Sequence, residues 1–224
     1  MIYLYSGTPG SGKSLHIANH LYWWCKRGVG IVTNFDFAYD SIPTRHRSPV
    51  LCVDNKDLSP DLLKRFSKEY YKRNDFREGG IKVVLDEVQL ILNSRDWNSA
   101  DRADWISLMS QHRKYGMDIF LVAQFDQMLD KQVRSLIEYE VIHRKVANFG
   151  TWGIIFNLLT GGKLFVAVTM WYPMKTKTGS EFFHARKKYY SLYDTYKLFN
   201  EEGEKVNGQK TCSDRSITIG LPDF

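Results

Sequence analysis

An eight-residue segment near the start of the chain combines the residue types that hold a polyphosphate. It matches the pattern G-x-x-x-x-G-K-[ST] at every fixed position: Gly7-Thr8-Pro9-Gly10-Ser11-Gly12-Lys13-Ser14. Glycines leave backbone N–H groups open to phosphate oxygens and adopt the dihedral angles of a tight turn. Lys13 is expected to reach the β- and γ-phosphates, and the Ser14 hydroxyl to ligate Mg²⁺. The pattern predicts binding of ATP and Mg²⁺ along all eight residues; the alternative is a glycine-rich turn without a ligand.

Two neighbouring carboxylates follow an apolar run later in the chain. The run Val83-Val84-Leu85 predicts a buried strand, and Asp86 and Glu87 come directly after it. Ligands of open α/β sheets bind outside the carboxyl ends of the strands, where a cation or water offsets the cost of burying charge. We expect Asp86 to hold the Mg²⁺ shell through water and Glu87 to orient and polarise the attacking water. The alternatives are a helix cap for Asp86 and a surface carboxylate for Glu87.

Several further polar residues are candidates for the same reaction. Gln124 follows another apolar strand and is predicted to contact the γ-phosphate or the attacking water; the alternative is an amide at the edge of a loop. Arg113, Arg134 and Arg144 are candidates for stabilising transition-state charge, within the chain or from a neighbouring subunit. The sequence does not choose among the three arginines, and we take Arg113 as the catalytic candidate. Asn34, which ends a predicted strand, is a weaker candidate for the rim of the site.

These residues must be positioned by alternating strands and helices. Helices are predicted from Lys13 to Arg27, Pro60 to Lys72, Asp101 to Arg113, and Lys131 to Ile137. Strands are predicted at Ile2–Ser6, Gly30–Asn34, Ile81–Leu85, Asp118–Ala123 and Tyr139–His143. The segment 36–52 contains two prolines and is expected to be a loop. Such alternation predicts an α/β fold of the P-loop NTPase type, with a mainly parallel sheet covered by helices on both faces.

The pattern changes after Lys145. Two β-rich runs, Gly153–Leu159 and Leu164–Trp171, flank Thr160-Gly161-Gly162-Lys163 and predict a hairpin. A membrane-spanning helix over residues 152–171 is the alternative, but polar residues and glycines interrupt it. We therefore expect no transmembrane segment in this chain, a P-loop domain over residues 1–197 with a hairpin-rich extension over 145–197, and a peripheral tail over 198–224.

The chain is modestly basic. It carries 31 Lys and Arg against 25 Asp and Glu, a net charge of +6, which permits contact with nucleic acid or an anionic membrane without requiring either. The chain has two basic clusters. The first lies on a predicted helix and consists of Lys64, Arg65, Lys68, Lys72 and Arg73. The second consists of Arg186, Lys187 and Lys188 and is followed by Tyr189 and Tyr190. Either could line a channel for single-stranded DNA. The alternatives are a solvated helix face for the first cluster and a strand edge with alternating exposed charge for the second.

Taken together, these motifs resemble the zonula occludens toxin (Zot) family, the assembly ATPases of filamentous phages. The resemblance covers roughly residues 1–197 and is most specific in the His-Arg-x-x-Gly element, the glutamine after a strand and the closing Tyr-Asp-Thr. The matching segments are Ile2 to Ser14, Thr33 to Phe35, Leu85 to Glu87, Gln111 to Asp118, Val122 to Gln124, and Tyr190 to Thr195.

The resemblance implies an ATP-hydrolysing motor for phage extrusion. Such proteins are thought to drive single-stranded phage DNA and coat protein through the inner membrane. A cytoplasmic location at that membrane, a homo-oligomer and a membrane-embedded assembly partner are therefore expected. Two alternatives remain: a nucleotide-gated scaffold that binds ATP without significant turnover, and a nucleotide kinase, for which no Arg-rich lid or acceptor pocket is apparent.

Overall fold

A computed structural model describes residues 1–43, 48–92, 99–148 and 163–193. In these ranges, eight strands form one sheet in the order β3-β2-β4-β5-β1-β6-β7-β8. Their bounds are β1 Ile2–Ser6, β2 Gly30–Thr33, β3 Val50–Cys52, β4 Ile81–Leu85, β5 Met117–Val122, β6 Tyr139–Lys145, β7 Leu164–Trp171 and β8 Thr176–His184. The first six are parallel, so their carboxyl ends meet at one edge of the sheet. β7 and β8 are antiparallel additions beside β6.

Helices cover both faces of the sheet, as expected for parallel strands buried on both sides. Their bounds are α1 Lys13–Lys26, α2 Pro60–Tyr71, α3 Ser99–Ser110, α4 Lys131–Leu136 and α5 Lys187–Tyr190. One apolar core lies between the sheet and α1, and includes Leu21, Phe120 and Phe165. The other lies between the sheet and helices α2, α3 and α4, and includes Phe66 and Leu108. The predicted fold class is confirmed.

The helix starts differ in a way that bears on function. α2 begins after Ser59, whose side chain accepts a hydrogen bond from the Leu62 amide, and α4 begins after Asp130, which caps in the same way. α1 begins after Gly12, which has no side chain to cap it, and its first turn contains no acidic residue. The free N–H groups and the positive dipole end of α1 are therefore available to an anion.

Two sequence expectations need correction. The segment 36–52 was expected to be a loop, but its last three residues form β3, which pairs with β2. Leu164–Trp171 is a strand, as expected, but its described partners are β6 and β8. The proposed partner Gly153–Leu159 and the tail 198–224 lie outside the described residues. Within the described ranges, no helix is both long and apolar enough to span a membrane.

Candidate phosphate-binding and hydrolytic site

The glycine-rich segment forms a closed loop between β1 and α1. The Gly7 amide donates to the Gln124 carbonyl at 3.2 Å, and the Ser11 amide donates to the Thr8 carbonyl at 3.1 Å. Gly10 and Gly12 have φ values of 74° and 98°, in the left-handed region that glycine adopts without a steric cost. The sequence pattern and the backbone conformation therefore agree on a phosphate-binding loop.

Close packing further restricts two positions of this loop. A Cβ added to Gly12 would lie 2.7 Å from the Phe165 ring, and one added to Gly7 would lie 2.7 Å from the His143 carbonyl oxygen. Phe165 belongs to β7 and His143 to β6. The strands that follow the parallel core therefore hold the loop in place, which the phosphate-loop pattern alone does not indicate.

Lys13 folds back over the loop. Its Nζ donates to the carbonyl oxygens of Gly7 at 2.6 Å and Thr8 at 3.3 Å. Burial lowers the pKa of Lys13, and the negative charges of Asp86 and Glu87 partly oppose this effect. The lysine and the two carboxylates thus lie close enough to interact at the same edge of the sheet, as the sequence analysis required.

Asn34 fixes the backbone of Asp86 from the neighbouring strand. Its side-chain oxygen accepts from the Asp86 amide at 2.6 Å, and its side-chain nitrogen donates to the Asp86 carbonyl at 2.8 Å. Burial raises the pKa of Asp86 to about 6. The Asp86 carboxylate accepts from the Glu87 amide at 3.0 Å, and the short helix that follows, Val88–Leu90, has no side-chain cap. Asp86 is therefore not a helix cap, and Asn34 lies beside the acidic strand end.

Glu87 has a left-handed backbone, with φ 46° and ψ 42°. Its side chain is exposed and accepts a hydrogen bond from the Gln89 side-chain nitrogen. A non-glycine residue in this region costs on the order of 1–3 kcal/mol, and such residues cluster at functional sites. This local strain at the end of β4 supports a functional role for the Glu87 carboxylate.

A cavity of about 480 Å³ opens beside the start of the loop. Its lining includes Gly7, Thr8, Gln124 and Arg144. Arg144 is exposed and lies near the carboxyl end of β6. The structure thus brings Gln124 and one of the three candidate arginines to the phosphate loop.

Arg113 lies at the opposite edge of the sheet. It belongs to the turn before β5, and its guanidinium pairs with Glu138 at 2.7 Å and with Glu78 at 3.5 Å. Residues that precede a parallel strand lie at its amino end, away from the phosphate loop. The structure therefore rules out Arg113 as a contributor to the site of its own chain and leaves only a role in a neighbouring subunit. Arg134 lies on α4 and does not line the cavity beside the loop.

Sequence reasoning missed a buried carboxylate next to the loop. Glu140 of β6 accepts from the Ser6 hydroxyl at 2.8 Å and from Lys175 Nζ at 2.9 Å. Lys175 reaches it from the turn between β7 and β8, and its ammonium also lies 3.6 Å from the centre of the Tyr172 ring. The available signal was an acidic residue at the second position of a predicted strand, between Tyr139 and the apolar pair Val141 and Ile142. This network connects the residue before the phosphate loop to the β7–β8 hairpin.

A histidine pair lies beneath the loop on the α1 side. His16 Nδ1 and His143 Nε2 are 2.8 Å apart, and His143 Nδ1 lies 3.1 Å from the Ser6 carbonyl oxygen. Burial lowers the pKa of His16 well below its usual range and that of His143 to about 4. Both imidazoles are therefore neutral at physiological pH and link α1, β1 and β6.

The two basic clusters differ in their surroundings. On α2, Lys64 pairs with Asp61 and Lys72 with Glu69, at 3.1 and 2.6 Å, which is typical of a solvated helix face. In the second cluster, Lys188 Nζ lies 4.7–5.1 Å from the ring centres of Tyr22, Trp23 and Tyr189. Trp23 is 43% exposed. The second cluster therefore combines cations with an accessible aromatic ring.

The residues present fit a magnesium–nucleotide ligand. Ser14 lies in the first turn of the uncapped helix α1, and Asp86 lies at the same edge of the sheet. The buried Ser11 hydroxyl has no hydrogen-bond partner among the described residues. In the described ranges, no three His, Cys, Asp or Glu side chains form a metal cage. Mg²⁺ does not need such a cage, because it uses one or two protein ligands together with waters and phosphate oxygens.

The fold and the loop geometry define the class of protein: a P-loop NTPase. The chain belongs to the zonular occludens toxin (Zot) family, whose model matches residues 1–196. It is 29% identical over 214 residues to the Gene 1 protein of Enterobacteria phage M13, an alignment that covers 89% of this chain and 60% of that protein. The chain thus spans about three fifths of the length of that phage relative. The resemblance inferred from the motifs is confirmed.

Solved structures share the fold. The N-terminal domain of zonular occludens toxin from Neisseria meningitidis superimposes with a TM-score of 0.53 at 23% identity, covering 86% of this chain and 98% of that one. The genome packaging NTPase B204 from Sulfolobus turreted icosahedral virus 2, in complex with ATP-gammaS, gives 0.50 at 14% identity, covering 82% and 96%. At these identities, the likeness concerns the fold alone.

Proposed function

We propose that this chain binds Mg-ATP through residues 7–14 and hydrolyses it as the motor of a phage assembly machine. The observation that carries the proposal is that Lys13, which follows β1, and the carboxylates Asp86 and Glu87, which follow β4, lie at the same carboxyl edge of the sheet, where helix α1 begins without a cap. Family membership supports it, as does the likeness in fold to an NTPase solved with ATP-gammaS. A phosphate loop without an acidic strand end beside it would support binding only.

Each residue has a distinct role in the proposed reaction. The loop amides and the start of α1 bind the phosphates, and Lys13 exchanges its contacts with the Gly7 and Thr8 carbonyls for phosphate oxygens. Ser14 and Asp86 would hold Mg²⁺, which supplies charge stabilisation to the β- and γ-phosphate oxygens when bound. Glu87 orients the attacking water and polarises it. Release of Glu87 from Gln89 would accompany this step.

Gln124 and Arg144 complete the site at the start of the loop. Both line the cavity beside Gly7 and Thr8, where a γ-phosphate contact would form. An arginine from a neighbouring subunit, with Arg113 as a candidate, would stabilise transition-state charge in a homo-oligomer. Its exposed position at the far edge of the sheet makes it accessible to another copy.

Partners and location follow from the family resemblance. We propose that the motor works at the cytoplasmic face of the bacterial inner membrane, with a membrane-embedded assembly partner, and moves single-stranded phage DNA and coat protein. The surface formed by Lys26, Lys188 and Trp23 supports contact with single-stranded nucleic acid, because cations and an exposed ring lie together there.

Steady-state phosphate release tests the proposal. Wild type, Glu87→Gln and Lys13→Ala would be compared across protein concentration, with and without single-stranded DNA. Glu87→Gln should bind ATP but lose turnover, and Lys13→Ala should lose binding because it removes a charge-assisted contact. Asp75→Asn, an exposed carboxylate before β4, is the matched control and should retain full activity.

Two outcomes would refute the motor. If wild type and Glu87→Gln bind ATP tightly and both release phosphate at the same near-zero rate, the chain is a nucleotide-gated scaffold. If Lys13→Ala binds ATP normally, the site is misassigned. A specific activity that rises with protein concentration would support sites completed by a neighbouring subunit.

A further inference from the structure

A second cavity, of about 210 Å³, lies against the end of the phosphate loop. Its lining combines residues of the phosphate loop and the start of α1 with three aromatic rings, those of Phe165, Tyr190 and Tyr193. This volume is smaller than the roughly 300–1,000 Å³ of a pocket that encloses a whole drug-sized ligand. The cavity therefore suits a fragment of a ligand whose remainder lies elsewhere.

The position of the cavity along the loop indicates which fragment. It shares Gly12, Lys13, Ser14 and Leu15 with the start of α1, whereas the larger cavity shares Gly7 and Thr8 with the start of the loop. The uncapped helix start and Lys13 bind the phosphates between these two openings. One end of a bound triphosphate is thus directed towards Gln124 and the other towards the three rings.

The aromatic residues are held in place by neighbours on both sides. Tyr189 is buried and packs edge-on against Tyr22 of α1, with ring centres 5.6 Å apart. Leu192 is buried, and its carbonyl accepts from the Ala38 amide at 2.7 Å. Between and after these anchors, Tyr190 remains 44% exposed and Tyr193 is half-buried. Both rings therefore line the cavity, and Tyr193 also packs against the core on the α1 side of the sheet.

The ring geometry suits a flat heterocycle. The Tyr190 and Tyr193 ring centres are 6.5 Å apart with planes inclined by 31°, and Phe165 forms the floor by packing against Gly12. Base–aromatic stacking gains energy from the π-faces of both partners. Burial raises the pKa of Tyr193 to about 12, so its hydroxyl stays a hydrogen-bond donor at neutral pH.

We propose that Phe165, Tyr190 and Tyr193 form the subsite for the purine base of the bound nucleoside triphosphate. This inference rests on the proposed nucleotide binding, and it names the residues that recognise the base of the nucleotide. The lining offers ring faces and tyrosine hydroxyls, and no amide or carboxylate side chain among the described residues. Recognition therefore depends mainly on stacking.

Calorimetric titration with two probes tests this assignment. ATPγS carries the base, and inorganic tripolyphosphate carries only the phosphates; both are titrated in the presence of Mg²⁺. Tyr190→Ala should weaken ATPγS binding about 5- to 150-fold, because stacking is worth that much per base, while leaving tripolyphosphate binding unchanged. Tyr190→Phe keeps the ring and should bind both probes as wild type does.

Tyr193→Ala should show the same selective loss of ATPγS binding. Tyr193 also packs near Phe35, so Tyr193→Phe, which keeps the ring, is the control for an effect on folding. Phe76→Ala removes an exposed ring distant from the loop and is the matched control. Equal loss of both probes in Tyr190→Ala, or no loss of either, would overturn the subsite. So would wild-type binding of tripolyphosphate as tight as that of ATPγS. Failure of wild type to bind either probe would instead refute the proposed function itself.

Discussion

The left-handed backbone of Glu87 leads to a prediction in which glycine stabilises the protein. At φ 46° and ψ 42°, an L-residue costs roughly 1–2 kcal/mol relative to its right-handed form, whereas glycine adopts this conformation freely. Glycine also adds roughly 0.5–1 kcal/mol of chain entropy that folding must overcome. The balance predicts that Glu87→Gly is more stable than Glu87→Ala by about 0.5–1 kcal/mol. The hydrogen bond from Gln89 is lost in both variants and cancels.

Urea denaturation of the two variants measures the difference. Leu90 provides the control, because it is 71% exposed, lies three residues further on and has no left-handed backbone. At that position, Gly should be less stable than Ala by about 0.5–1 kcal/mol, the opposite sign. Both Glu87 variants should lack ATP turnover, so stability and activity separate at this residue. If Gly destabilises position 87 as it does position 90, the backbone is not strained and the reasoning is wrong.

Three further predictions concern the supports of the site. Asn34→Ala removes both hydrogen bonds to the Asp86 backbone and should lower the free energy of unfolding by about 2 kcal/mol; an unchanged urea midpoint would contradict this. Lys175→Met leaves the Glu140 carboxylate, 10% exposed, without its cation and should cost about 1–3 kcal/mol, part of which Glu140→Gln should restore in a double-mutant cycle. Burial lowers the pKa of His143 to about 4 in the folded protein, so the unfolded chain takes up a proton at a higher pH than the folded protein does. The free energy of unfolding that depends on a neutral His143 is therefore complete above pH 6.5 and is lost as the pH falls towards 4. Over that window, His143→Gln should lose less stability than wild type, by up to about 3 kcal/mol, and parallel curves of unfolding free energy against pH would refute the assignment.

The core of the fold could be predicted from the sequence because local signals were strong. Buried parallel strands are continuous apolar runs, and the phosphate loop has an invariant spacing of residue types. β3 was missed because it has only three residues, and its pairing with β2 is a long-range contact. β8 was not identified because most of its residues are exposed and polar, as is typical of an edge strand.

The order of residues along the chain distinguishes two of the candidate arginines. Arg113 precedes β5 and Arg144 lies near the end of β6, so the rule that parallel strands share a carboxyl edge separates the two without coordinates. The contact between Asn34 and Asp86 was different. It depends on β2 lying next to β4, and strand order is a tertiary property that composition and periodicity do not encode.

The Phe165 ring occupies the space into which a side chain at position 12 would project, so removing β7 would also remove a contact of the glycine-rich turn. Phe165 stacks on Phe183 of β8, so both strands of the hairpin contribute to the packing against the glycine-rich turn. Excising β7 and β8 would leave a six-stranded parallel sheet with its glycines intact but with one wall of the turn missing. The packing that shapes this turn therefore extends beyond the motifs, to the last antiparallel strand.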